Sequence, residues 1–263
     1  MEQIISRLHL LSGADLVMTP VVSVKHPTVK DVLSINGGLL CEDYYWAYVS
    51  ALLCDPYDHM VYLDDMGKDY EKVTPFQVFC YRWIDMQKAV ITHQDGAEDR
   101  LRLVYAALKM FFGQHVFDIG QLKGETVLLD KRDSMWFMTD EMFSLATAFI
   151  TQINCIARED KIKPATPSAK MVLIDDMRSE LKKKARNKKE PERPDHIGDA
   201  LAVVLAGGSG AINPSNYHDV HIYQLLSSSR AIQKQMVVQS MLNGIYTGMM
   251  KADKISNEDL RWV

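Results

Sequence analysis

No apolar run in this 263-residue sequence reaches the roughly 18 to 20 residues that a membrane span requires, so the chain is not expected to cross a bilayer as a helix. A surplus of charge is equally lacking: 30 Lys and Arg stand against 34 Asp and Glu, giving a formal net charge of −4 and a pI near 6.1. Nucleic acids and anionic membranes usually demand a basic surplus or a basic face, so any such contact would have to be local. Cysteines are few, and Cys41, Cys54, Cys80 and Cys155 lie too far apart to make the close pairs that zinc sites use. They read as reduced thiols in a core. Met1 to Gly13 carries Glu2, Arg7 and His9 but no basic start, long apolar stretch or small-residue cleavage site, so it does not read as a signal peptide. A cytoplasmic location is expected.

What is present is enough apolar material, 47% of residues, to bury a substantial core in one large or two small domains. Leu16 to Val24 is β-branched but interrupted by Pro20, which suits an edge strand or small hairpin. Thr28 stands three residues before Asp31 and opens a short helix that should end at Asn36 to Gly38. Tyr45, Val49, Leu52 and Leu53 recur at helical spacing until Asp55 and Pro56 stop the run. A short helix is expected around Asp58 to Met66, closed by Gly67, and a longer one opened by Thr74 and Pro75 and running to about Val90. A helical or mixed run then reaches Phe112. From His115 to Phe137 the pattern changes to short β-like pieces separated by Gly120 and Gly124. Thr139 starts an amphipathic helix through Phe143, Phe149 and Ile153, ended by the stretch from Pro164 to Pro167.

Met177 to Asp195 holds eight Lys or Arg against four acids and little that can be buried, so it marks a boundary. Beyond it, Ile197 to Leu205 reads as an apolar helix and Tyr217 to about Met250 as two more. The expected fold is α+β and predominantly helical, with a small N-terminal strand or hairpin and a small mid-chain β-sheet. Residues 1–175 form a mixed domain, 176–195 a basic linker or exposed helix, and 196–263 a C-terminal helical domain.

The candidate chemical motifs each have a plainer explanation. Tyr62, Leu63, Asp64 and Asp65 pair carboxylates as a two-metal site would, but the helical setting and the absence of a second aspartate strand favour a solvated helix end capped by Gly67. His218 and His221 are three apart with no Cys, Glu or further His beside them, so a metal site is not expected. Gly207 to Gly210 lack the lysine and hydroxyl of a phosphate-binding loop and read as a turn between helices. Ser227 to Ser229 sit in no nucleophile elbow. Lys182, Lys183 and Lys184 open a run able to grip phosphates or an acidic protein, yet no aromatics interleave for base stacking, which favours a solvated surface. Tyr44, Tyr45, Trp46, Tyr48, Tyr81 and Trp83 are core residues by default, although Tyr44 and Tyr48 share a helix side that suits a partner. The 15 methionines suit an adaptable interface as well as a core. No catalytic, cofactor-binding or metal-binding residues are assigned.

Three stretches, in order, resemble a family of tail-morphogenesis proteins from phages and prophages of Gram-positive bacteria, described as tail assembly chaperones. The first spans residues 8–33, with Leu11, Ser12 and Gly13, a strand, then Pro27, Thr28 and Asp31 at a helix start. The second runs from Leu53 to Asp58 through Leu63 and Gly67 to Asp69 to Thr74 and Phe79. The third is most characteristic: Ile222 to Leu225, Arg230 to Ile232, Asn243 to Gly248, Lys254 and Ile255, and Leu260 to Trp262. Together they cover somewhat less than half the chain.

The resemblance implies a non-enzymatic protein in the host bacterial cytoplasm that binds another tail component, such as the tape-measure protein, without a cofactor. Such a chaperone would cover apolar stripes on a long helical client, with several copies bound; a homo-oligomer is compatible with this. The resemblance leaves open a structural virion subunit of the tail, baseplate or connector, and a nucleic-acid-binding accessory protein is a third option. The expected partner-binding residues are Tyr223, Leu226, Arg230, Ile245 and Tyr246, with Lys182, Lys183 and Lys184 of the basic segment.

Overall fold

A computed structural model describes residues 5–113, 117–133, 135–157, 164–187, 197–207 and 212–247. The described residues form a predominantly helical α+β fold with ten α-helices and two small antiparallel sheets.

Helix starts follow side chains that satisfy the free amides of a first turn. Ser6 accepts from the His9 amide to open α1 (Arg7–Ser12), and Gly13, at φ +72°, ends it. The strands β1 (Leu16–Val17) and β2 (Ser23–Val24) make the small hairpin, with Pro20 in its turn and so outside the ladder. Thr28 and Asp31 form a reciprocal capping box at α2 (Val29–Leu33), as Thr74 and Gln77 do at α5 (Pro75–Ile91). Between them lie α3 (Cys41–Leu52) and α4 (Met60–Asp65), the latter closed by Gly67 at φ +66°.

After α6 (Ala97–Phe112), β3 (Phe117–Leu122) pairs with β4 (Glu125–Asp130), and β4 pairs with β5 (Phe137–Met138). Lys123 and Gly124 both have positive φ, the geometry that suits a tight two-residue hairpin turn. Thr139 caps α7 (Asp140–Ile153).

The core is aromatic. Phe143 of α7 packs 5.3 Å from Phe76 and 5.0 Å from Phe79, and Trp83 continues the row to Tyr105 of α6 at 5.0 Å between ring centres. Trp136 covers Phe117 at 4.7 Å and ties the three-stranded sheet to the end of α6 through Phe112. Burying an aromatic side chain of this kind contributes about 3 kcal/mol.

Two elements differ from the sequence expectation. The basic stretch, as far as Asn187, takes the helical of the two expected forms, but as part of a longer helix, α8 (Pro167–Asn187), which begins ten residues before Met177 and docks on α4. Its Ile174 is buried, and Leu173 and Met177 pack against the same core. These apolar positions precede the charged run, and they hold the helix down. Second, Tyr217 to Tyr246 is a single turn of 3-10 helix followed by one 25-residue helix, α10 (Ile222–Tyr246), where two helices were expected. No glycine or proline falls inside its first five turns to divide it.

Helix α9 (Ile197–Ala206) packs along α10, and Gly207 lies against Ile232, where a Cβ would come within 3.0 Å of the isoleucine side chain. Ile197, Val204, Ile222, Leu225 and Leu226 belong to the same contiguous core as Phe149 and Val29. Among the described residues, the core is contiguous across the division expected at 176–195.

Candidate partner-binding site

The paired aspartates at the end of α4 are engaged by α8. Arg178 donates to Asp64 Oδ2 at 2.9 Å and to Asp65 Oδ1 at 2.7 Å, and two turns earlier Lys170 pairs with Asp69 and, at 2.6 Å, with Glu71. Lys170, Ile174 and Arg178 are spaced four apart and so share a helix face, basic at both ends and apolar between. Desolvation opposes the Lys170 cation, but its hydrogen bonds to Asp69 and Glu71 outweigh that and hold its pKa above the ordinary lysine value. The carboxylates after Tyr62 thus serve as an anchor for a helix. The turn after them keeps the glycine cap expected from the sequence.

A second polar cluster lies beneath α4. Arg82 Nη1 sits 3.4 Å from both Cys54 Sγ and His59 Nε2, and the Tyr62 hydroxyl donates to Asp85 Oδ2 at 2.6 Å. Burial raises the Cys54 thiol, although Arg82 works in the opposite direction. Burial, with help from Arg82, lowers His59 to about 4. Both groups are therefore neutral near pH 7, whereas a nucleophilic cysteine needs a thiolate beside a cationic partner. The cluster packs; it does not supply an activated nucleophile.

An open cleft of about 1490 Å³ lies between the starts of α5 and α7 and the hairpin β3–β4. Glu125, Asp140 and Glu141 line it beside Tyr81, Ile84 and Ile119. Asp140 is already committed, accepting from Thr74 Oγ1 at 2.7 Å and from Ser144 Oγ at 3.5 Å, which clasps the two helix starts together. Cys80, also on its wall, has its thiol pushed up to about 12 by burial and the nearby Asp140.

The two histidines spaced three apart do not share a helix: His218 lies in the 3-10 turn Tyr217–Asp219, while His221 is the residue before α10. Among the described residues no group of three or more His, Cys, Asp and Glu is placed to hold a metal ion, and no helix is long and apolar enough to cross a membrane. Gly208 to Ala211 lie outside the described residues.

The expected partner-binding residues fall into different environments. Leu226 is 1% exposed and belongs to the core, so the fold withdraws it from any partner; the helical period that selected it serves the interior there. Tyr223 is half-buried against the same core. Arg230 is exposed, but its guanidinium donates to the Cys155 carbonyl at 3.0 Å and so secures the end of α7. Ile245 is half-buried and Tyr246 is 84% exposed. Lys182 and Lys183 are exposed on α8; Lys184 is on the same helix, with its side chain outside the described residues. The last part of the characteristic tail, from Gly248 to Trp262, also lies outside them.

Two residues that sequence reasoning passed over stand out on α10. Met236 and Val237 are exposed, while the adjacent Val238 is buried. Three consecutive apolar residues exceed what one buried helix face can take, and that run was the available signal. Beyond Ser229 the helix buries only Val238 among the described residues, so its second half presents Lys234, Met236, Val237 and Tyr246 outward.

No protein-family model, curated protein or solved structure matches the chain.

Proposed function

We propose that the chain is a non-enzymatic, protein-binding factor of phage tail morphogenesis, a tail assembly chaperone that holds a helical tail component such as the tape-measure protein. The observation that carries the protein-binding part is the second half of α10, which leaves Met236, Val237 and Tyr246 in solvent on a long regular helix. Exposed apolar and aromatic side chains on such a helix suit an amphipathic client, which can lay its own apolar stripe alongside. The tail assignment rests on the resemblance of the three stretches, the most characteristic of which has three of its pieces on α10, Ile222 to Leu225, Arg230 to Ile232 and Asn243 to Tyr246.

Co-expression of the chain with the tape-measure polypeptide of the same phage or prophage tests this. The client is expected to stay soluble and to co-elute with the chain on gel filtration, and a Met236→Ser, Val237→Ser, Tyr246→Ala variant is expected to lose the complex. A client equally soluble with and without the chain would sink the proposal.

The exposed Lys182, Lys183 and Arg186 on α8 favour a second reading, a nucleic-acid-binding accessory protein. It requires binding that weakens steeply with salt and that disappears when Lys182, Lys183 and Lys184 are changed to glutamine.

A further inference from the structure

The N-terminal segment and the start of α10 are joined by backbone and by histidines. The Val29 amide donates to the Val220 carbonyl at 2.9 Å, the Ile222 amide to the Pro27 carbonyl at 3.0 Å, and Thr28 and His221 form an isolated antiparallel bridge. Gln224 Nε2 adds a bond to the Leu11 carbonyl at 2.7 Å. Inside this joint the imidazoles of His9, His26 and His221 gather around Phe149. The His26 ring centre lies 4.7 Å from that of His221 and 5.7 Å from Phe149, which His9 meets edge-on at 6.1 Å.

His26 is 3% exposed, and neither of its ring nitrogens has a hydrogen-bond partner; nor does the buried Nε2 of His9. His221 is fixed by its Nδ1, 2.8 Å from the His26 carbonyl, and by Gly13, where a Cβ would come within 2.2 Å of the imidazole. The groups that face His26 are His9 from α1, His221 at the start of α10, Phe149 from α7, and Ala14 and Asp15 from the loop after α1. The Asp15 carboxylate accepts the His26 backbone amide at 2.8 Å, and the Ala14 backbone, lying near the ring but outside hydrogen-bond geometry, favours the cation. Three effects oppose it: burial removes water, the other two imidazoles repel it when charged, and the positive end of the α10 dipole adds to the repulsion.

We propose that these three histidines form an acid-sensitive latch: protonation favours a state in which the N-terminal segment has separated from the start of α10 while the aromatic core stays packed. This goes beyond the binding role above and does not depend on it. Burial first, then His221 and His9, lower His26 from 6.5 to about 4. Between those values the separated state takes up a proton that the closed joint refuses, so the closed joint weakens as pH falls through that window.

Hydrogen exchange on the full chain tests the latch at the two amides that cross the joint, Val29 and Ile222, with rates corrected for intrinsic exchange. From about pH 7.5 to about pH 5, their protection is expected to fall about tenfold or more, while Cys80 and Trp83 amides in α5 change little. In His26→Phe the acid-induced loss is expected to disappear. If that variant does not fold, His221→Gln, which removes one repelling neighbour and so narrows the gap between the two states, is expected to make the acid-induced loss smaller. Unchanged protection between the two pH values, or a loss of the same size in His26→Phe or in His221→Gln, overturns the proposal.

Discussion

The Tyr45 hydroxyl donates a 2.6 Å hydrogen bond to Asn154 Oδ1 across 109 positions of sequence, and both side chains are buried. Asn154 passes the connection on, donating from Nδ2 to the Ile150 carbonyl at 2.8 Å, so the bond ties α3 to the last turn of α7. Burial holds the phenol far above its ordinary pKa, which keeps it a neutral donor at all working pH. Tyr45→Phe leaves the amide oxygen without its donor and is expected to cost about 1 to 3 kcal/mol. A lower urea midpoint with an unchanged slope would show it; an unchanged midpoint would mean that the bond contributes nothing net.

Anchorage of α8 depends on charge as well as on Ile174. Arg178→Glu places an acid beside Asp64 and Asp65 and is expected to loosen the helix, as high salt should in the unaltered chain. Limited trypsin digestion within residues 182–187 reports it, with faster cleavage in the variant and at high salt. Cleavage independent of both would show that apolar contacts alone hold the helix.

Gly13 sits at φ +72°, and a Cβ there would meet the His221 ring. Gly13→Ala is therefore expected to destabilise the chain by more than about 1 kcal/mol, visible as a lower thermal midpoint. Gly37→Ala, also at positive φ but with open space around it, carries only the backbone cost and is expected to lose less.

His59 gives a pH dependence separate from the latch. Its pKa is lowered from 6.5 to about 4 in the folded chain, so the unfolded chain binds the proton first and stability falls as pH drops through that window, levelling off below it. His59→Gln is expected to flatten this part of the urea stability profile. An unchanged slope would assign the effect to other groups.

Surface substitutions on α10 separate binding from folding. Met236→Ser and Tyr246→Ala, at exposed positions, are expected to change stability by no more than about 0.5 kcal/mol while weakening the client complex about tenfold or more. A large loss of stability would mean that these residues pack within the chain.

Local chemistry made much of this fold legible in the sequence. Thr28 with Asp31, Thr74 with Pro75, and Thr139 each announce a helix start through the hydrogen bonds that a first turn lacks, and those helices are present. Contacts between distant segments were not legible. Nothing near Asp64 and Asp65 announces that Arg178 will meet them, and charge counting alone made α8 look detached. Leu226 obeys the same helical period as a surface residue would, and only the tertiary placement of α1, α7 and α9 against α10 assigns it to the core. The histidine cluster, drawn from positions 9, 26 and 221, was hidden for the same reason.

The tail-assembly claim is tested most directly by quantitative mass spectrometry of purified particles from the source phage or induced prophage, set against the lysate that produced them. An assembly chaperone is expected to be abundant in the lysate and absent from the finished particles. Recovery from the particles in fixed stoichiometry with the other tail proteins would contradict the account and make the chain a structural subunit of the tail or baseplate.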